Sequence, residues 1–261
     1  MAKLSLALAV YNEEKFIHYA LDSTYSWVDE VVIVDGESDD KTVSIAQSYG
    51  DKIKLIQTDN PPMFHINKQK AIEACSGDWI LQLDADEAVS DELKSEILRV
   101  VEDDTRHDVA YWVPRKNYFL GRFLTKGGVY PDYTIRLYKR GVAHFPCLTV
   151  HENVAVDGSV GHLASDLLHY ADPDFSRYLA RWDRYTTLDA DILVKSKHSL
   201  NTWDFLNYFI FKPKWTFFMM YFRSRGFMDG FPGFVFALFS SIRFWVIYIK
   251  LWQKLYAADK K

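Results

Sequence analysis

Two cysteines are all the sequence contains, Cys75 and Cys147. They are too few and too far apart for a disulfide framework or a cysteine zinc site, so a reducing cytosol is the simplest compartment. No secretory signal is expected either: the apolar run 4–10 passes straight into Asn12-Glu13-Glu14 with no small-residue cleavage site, and reads better as a buried first strand. No Gly-rich, Lys/Arg-bearing loop follows that strand, which speaks against a nucleotidyltransferase. Basic charge is not in excess, with 31 Lys/Arg against 35 Asp/Glu and a net charge of −4, so no nucleic-acid partner is expected. Several membrane-spanning segments are lacking as well. One run, 231–249, could just cross a bilayer core at about 1.5 Å per residue. However, Pro232 and Gly233 should shorten its helix, Arg243 lies inside it, and Ser240 and Ser241 interrupt it.

What remains is an ordinary globular composition, 49% hydrophobic and 25% charged, with a high aromatic share of 16%. The charge is unevenly spread. Residues 1–194 hold 20 Lys/Arg and 32 Asp/Glu, a balance of −12; residues 195–261 hold 11 and 3, a balance of +8. An acidic body and a basic, aromatic tail point to two environments for one chain.

Apolar runs alternate with helical patterns through the first hundred residues. Strands are expected at 3–10, 30–35, 53–57 and 78–84. Between them, Asn12 should cap a helix carrying Phe16, Ile17, Ala20, Leu21 and Thr24, and Asp39 or Asp40 should cap a helix that Gly50 ends. A third helix falls near 67–75, and Ser90 caps a fourth with Leu93, Ile97, Val100 and Val101 on one face. This rhythm predicts a parallel sheet covered by helices, with its site at the carboxyl ends of the strands.

The tetrapeptide Leu-Asp-Ala-Asp occurs twice, at 83–86 and 188–191. With 25 Asp in the chain, about two Asp-x-Asp triples arise by chance, so spelling decides nothing. Context does. Asp84 and Asp86 end a buried strand, whereas Asp189 and Asp191 lie in a helical stretch with no strand before it and read as a solvated helix face. Asp35 ends the second strand at the same edge. Carboxylates gathered there repel one another unless a cation joins them, and Mn²⁺ or Mg²⁺, completed by phosphate oxygens and water, suits such a place.

Four blocks in order, "AVYNEE" at 9–14, "VDGESDDKT" at 34–42, "NKQKAIEACSGDWILQLDADE" at 67–87 and "RLYKR" at 136–140, resemble an inverting glycosyltransferase of family 2. The later "YPDYTIRLYKRG", "VHENV" and "GFMDGFPGF" resemble its subgroup related to lipopolysaccharide-core glucosyltransferases. The resemblance implies the α/β GT-A fold, Rossmann-like and mostly parallel, over 1–170. A nucleotide-sugar half would occupy about 1–105 and an acceptor half about 106–170, followed by an amphipathic helical, membrane-associating region at 171–261. It implies that Asp35 and Asp39 contact the base and ribose of a UDP-sugar and that Tyr11, Asn12 and Glu13 wall that pocket. Asp84 would lie near the ribose, Asp86 would hold the metal, and Lys68 and Arg136 would add positive charge near the diphosphate. For the general base it implies Glu152, with Asp132 as competitor. His151 and His169 are possible extra ligands, or simply structural histidines. "YLARW" at 178–182 matches the processive members' motif only weakly.

The aromatic and basic segment 203–256 is expected to be a helix pair in the membrane interface, with Gly226, Gly230 and Gly233 giving turns. One true crossing by 231–249 and a homodimer surface are the other readings. The expected partner is a lipid-linked glycan acceptor, at the cytoplasmic face of the inner membrane, with the protein peripheral or monotopic. Transfer to a polyprenyl phosphate, and a non-catalytic nucleotide-sugar-binding scaffold, are the alternatives.

Overall fold

The computed structural model describes residues 2–103, 105, 107–147, 153–172, 174–196 and 200–257. The chain forms two compact units, one of Met1–Lys116 with Asp132–Tyr170, the other of Asn117–Pro131 with Ala171–Lys261.

The first unit begins with strand, helix, strand. β1 (Leu4–Val10), β2 (Glu30–Asp35), β3 (Ile53–Gln57) and β4 (Trp79–Leu83) lie parallel in the order β3-β2-β1-β4. Leu8 pairs with both Ile33 and Leu83, so the carboxyl ends of β2, β1 and β4 share one edge. These strands are apolar throughout because both faces are covered. Leu4, Leu6 and Leu8 pack on one side with α1 (Ile17–Thr24) and α4 (Asp91–Glu102). Ala7, Val32, Val34 and Ile80 pack on the other with Ala71 and Ile72 of α3 (His65–Glu73). α4 starts as expected: the Ser90 hydroxyl accepts the Leu93 N–H, and Leu93, Ile97, Val100 and Val101 are buried.

The sheet then turns antiparallel. β5 (Glu87–Val89) pairs β12 (Leu167–Asp172), and β8 (Asp132–Lys139) lies between β4 and β6 (Ala110–Phe119), antiparallel to both. A short β7 (Arg122–Phe123) hairpins onto the end of β6, and β11 (Val160–His162) runs parallel to its start. β9 (Ala143–His144) and β10 (Ala155–Val156) form a separate ladder. The remaining helix here is α2 (Thr42–Ser48).

Two cap expectations are corrected. α1 begins five residues after Asn12, with Phe16 at its N-cap and no side-chain cap bond. Asn12 instead sits at φ 56° and uses its side-chain oxygen to accept the Asp39 N–H. At α2 the N-cap is Lys41; Asp40 accepts the Thr42 N–H from one residue further back.

The second unit is helical. α5 (Phe175–Lys195) is followed by a helical run over 202–223, in which α6 (Thr202–Leu206) and α7 (Lys212–Phe217) are each succeeded by a π-helical turn. An Asn201–Asp204 capping box starts the run. After a 3₁₀ turn at Gly226–Asp229 comes α8 (Gly230–Trp252). α8 thus includes Pro232 and Gly233, contrary to the expected shortening, because Pro232 is its third residue, where no intrahelical N–H partner exists to lose. Gly233 makes no turn: a Cβ there would lie 2.1 Å from the Gly226 carbonyl oxygen, so close approach requires it. Gly230, at φ 65°, does make one. Phe119, Leu124, Tyr178 and Val235 form this unit's core with Trp182, Phe236 and Phe239.

Candidate active site

At the edge shared by β1, β2 and β4, the loops after β1 and β2 are tied together. The Asn12 N–H donates to the Ser38 hydroxyl (2.9 Å), the Asp39 N–H to the Asn12 side chain (3.0 Å), the Glu13 N–H to the Thr42 hydroxyl (2.8 Å) and the Glu14 N–H to Asp40 (3.1 Å). Asp35 is fully buried. One of its oxygens accepts the Ser38 hydroxyl (2.5 Å) and the other the Ser38 N–H (3.1 Å), which fixes the turn. Tyr11 and Asp39 are exposed on this wall.

Beside it lies a cluster of six charges. Asp84 meets Lys68 and Arg136, the latter at 2.7 Å. Glu87, with no exposed surface, meets Arg136 at 2.6 Å and Arg115 at 3.1 Å, and accepts the Asp84 N–H at 2.9 Å. Asp132 receives both Nε and Nη2 of Arg115, at 3.1 and 2.7 Å. The second Arg136 nitrogen donates to Gln82 at 2.6 Å. Burial opposes ionisation of Asp84, but the charges of Arg136 and Lys68 override it and hold the carboxyl well below the usual range. Burial likewise opposes the charge on Arg136, and Asp84 and Glu87 raise its proton affinity in spite of it. Three cations are matched by three carboxylates. Lys68 and Arg136, expected to add positive charge near the diphosphate, are held in ion pairs with Asp84 and Glu87.

Asp86 follows on the turn between β4 and β5. Its carboxylate lies 3.5 Å from Nε2 of His169, and its carbonyl accepts the Tyr170 N–H at 2.7 Å. β12 brings His169 there by pairing it with Glu87. Among the described residues, no group of three or more His, Cys, Asp or Glu side chains is gathered to hold an ion unaided. A carboxylate and an imidazole fit a divalent ion whose remaining positions come from phosphate oxygens and water. The expected base Glu152, and His151, lie outside the described residues.

The second Leu-Asp-Ala-Asp lies in α5, as its helical pattern indicated. It is less solvated than expected, because Asp189 pairs with Arg243 and Asp191 with Lys254. The residue after each copy separates them: Glu87 in one, Ile192 in the other. Glu87, Arg115 and Gln82 were not anticipated. The signal for Glu87 was a further acid following a strand-end Asp-Ala-Asp; nothing local marked Arg115 or Gln82, which join the cluster only through strand pairing.

The family model for glycosyl transferase family 2 matches residues 5–150, more than half of the chain. The chain is 29% identical over 255 residues to a lipopolysaccharide core biosynthesis glycosyltransferase, LpsC, of Rhizobium meliloti, covering 96% of this chain and 92% of that one. It is 30% identical over 248 residues to an uncharacterized glycosyltransferase of Rickettsia felis, covering 90% and 84%. A mannosyltransferase from Pyrobaculum calidifontis, solved with GDP-Man and Mn²⁺, superposes with a TM-score of 0.55 over all of this chain and 88% of its own, at 12% identity, a likeness of fold alone. The tied loops, the strand-end Asp84 and Asp86 and the matching family model lead to one statement: the protein is a glycosyltransferase of the GT-A fold and belongs to glycosyl transferase family 2.

Proposed function

We propose that the protein is a metal-dependent, inverting hexosyltransferase that moves a sugar from a UDP-hexose to a hydroxyl of a lipid-anchored saccharide, such as lipopolysaccharide core, at the cytoplasmic face of the inner membrane. The observation that carries the donor half is the matched charge cluster. With Lys68, Arg115 and Arg136 paired to Asp84, Glu87 and Asp132, a diphosphate arriving at this edge finds its counter-charge in an ion brought to Asp86 and His169. The mixed oxygen and nitrogen donors favour Mn²⁺ over Mg²⁺. A divalent ion there, when bound, neutralises the charge that develops on the departing nucleoside diphosphate. The acceptor half is supported by the similarity to a lipopolysaccharide core biosynthesis glycosyltransferase.

In this reading Tyr11 and Asp39 face the base and ribose, Asn12 and Glu13 hold the wall in place, and Asp35 acts through the Ser38 turn. Lys68 and Arg136 position Asp84. Glu152 removes the proton from the acceptor hydroxyl as it attacks the anomeric carbon from the face opposite the leaving group. Asp132 is the weaker candidate, since its carboxylate already accepts both Nε and Nη2 of Arg115.

Calorimetric titration with UDP, with and without Mn²⁺, tests the donor site on wild type, Asp86→Asn and Asp191→Asn. Wild type and Asp191→Asn should bind only with Mn²⁺, and Asp86→Asn should lose at least about tenfold, the loss expected when a metal ligand is removed. Equal binding by all three overturns the assignment.

A further inference from the structure

The second unit carries two kinds of cation. Both basic side chains of α8 and the one just beyond it have a carboxylate of α5: Arg243 with Asp189, Lys250 with Asp183 (2.6 Å), and Lys254 with Asp191 (2.7 Å). Along 205–228 there is no acidic residue at all. Lys214, Arg223 and Arg225 are exposed there with no carboxylate partner among the described residues, and the Lys212 ammonium lies 3.8 Å from the Tyr208 ring centre. The flanking acids are withdrawn: Asp204 is consumed in its capping box, and Asp229 is buried against the Thr125 and Lys126 N–H groups. Among and beside the unpaired cations in sequence stand exposed aromatics, Trp215 at 66% and Phe231 at 71% with Phe211, Phe218 and Phe222. Asn207, Phe211, Lys212, Lys214, Trp215 and Phe218 line an open groove of about 490 Å³.

We infer that this face of the second unit docks on an anionic lipid bilayer, with α8 lying along the surface rather than crossing it. Large aromatic rings beside ammonium and guanidinium groups match the headgroup layer, where rings insert and cations meet lipid phosphates. A protein partner of ordinary surface composition would leave this row of like charges unmatched. The groove, with ammonium groups on an aromatic wall, is sized for a lipid headgroup. The helical run Gly226–Tyr256, which contains α8, is apolar enough to span by composition, and with only 28% of its most apolar window buried it is not a soluble core helix, but its ion pairs oppose crossing. Arg243 and Lys250 of α8 hold Asp189 and Asp183 of α5, Lys254 just beyond α8 holds Asp191, and the Trp182 indole N–H donates to the Phe239 carbonyl. Taking α8 through the hydrocarbon would drag Asp183, Asp189 and Asp191 with it.

The test is sedimentation of the whole chain with neutral phosphatidylcholine vesicles and with vesicles that also contain phosphatidylglycerol, and it needs no donor or metal. Wild type should sediment with the anionic vesicles only. The triple variant Lys214→Gln/Arg223→Gln/Arg225→Gln should bind them more weakly by about fivefold per cation, on the order of a hundredfold together. An unchanged circular-dichroism melt keeps a folding defect apart. Equal binding to both vesicle types overturns the headgroup assignment. No binding to either, with a dimer in solution, identifies the face as a contact between copies and overturns it too. In a Cys75→Ser/Cys147→Ser background, neither Phe231→Cys nor Trp252→Cys should react with an impermeant maleimide sealed inside the vesicles; labelling of one end from the lumen overturns the surface placement.

Discussion

Arg136 is the residue on which the charge cluster turns. Replacing it by Met leaves Asp84 with Lys68 alone and the fully buried Glu87 with Arg115 alone. Breaking a buried pair from one side costs about 3–5 kcal/mol, which urea unfolding should register, while the exposed Arg140→Met should move stability by no more than about 0.5 kcal/mol. Asp84 gives a pH signature. Its carboxyl is held below its ordinary value of 3.8 when folded, so the unfolded chain takes up the proton first. Its contribution to stability is complete above that value and is lost as the pH falls through the acid range below it. The urea midpoint of wild type should therefore drop more steeply below about pH 4 than that of Asp84→Asn, which starts lower but does not titrate. A parallel loss in both proteins would mean that another carboxylate governs acid unfolding. For catalysis, Glu152→Gln should lower kcat by about 10²–10⁴-fold, the usual worth of a general base, with UDP affinity unchanged. A variant of undiminished kcat would return the role to Asp132.

At the scale of elements, the close approach of α8 to the 3₁₀ turn before it is the most easily broken contact. Gly233→Ala puts a methyl group 2.1 Å from the Gly226 carbonyl, and the overpacking should cost about 1–3 kcal/mol. A thermal melt checks this, and a loss of stability reports crowding alone, because the gain in helix propensity from Gly to Ala would act the other way. The sequence announced this part of the molecule unevenly. Val31 to Val34 and Trp79 to Leu83 could be read as buried strands because burial on both faces leaves an unbroken apolar run, and Ser90 announced its helix through a side chain that caps locally. Asn12 misled for a reason of distance: its partner is Asp39, 27 residues on, so what resembled a helix cap is a tie between loops. Gly233 misled likewise, since glycine marks a turn and a close contact with the same letter.

For the whole molecule, the charge balance of −12 over 1–194 and +8 over 195–261 separates two kinds of binding. Vesicle association through exposed cations should fall steeply as salt shortens the Debye length to about 3 Å at 1 M. Mn²⁺-dependent UDP affinity, resting on partly buried Asp86 and His169, should change much less over the same titration. If both fall together, they draw on one surface. The two halves were also unequally legible. Fold and strand-end carboxylates could be read because local pattern dictates them. The cluster around Glu87 could not, because β4, β6 and β8 deliver its members from separate parts of the chain.

The loops after β1 and β2 hold each other through donors on one and acceptors on the other, in both directions. Neither can drift alone through evolution. A change at Ser38 strands the Asn12 amide, and a change at Asn12 strands that of Asp39, so single substitutions should be selected against where matched pairs survive. Donor preference in this protein would then shift by paired steps, and a library varying 11–14 and 37–42 together should recover active variants that neither single-loop library contains.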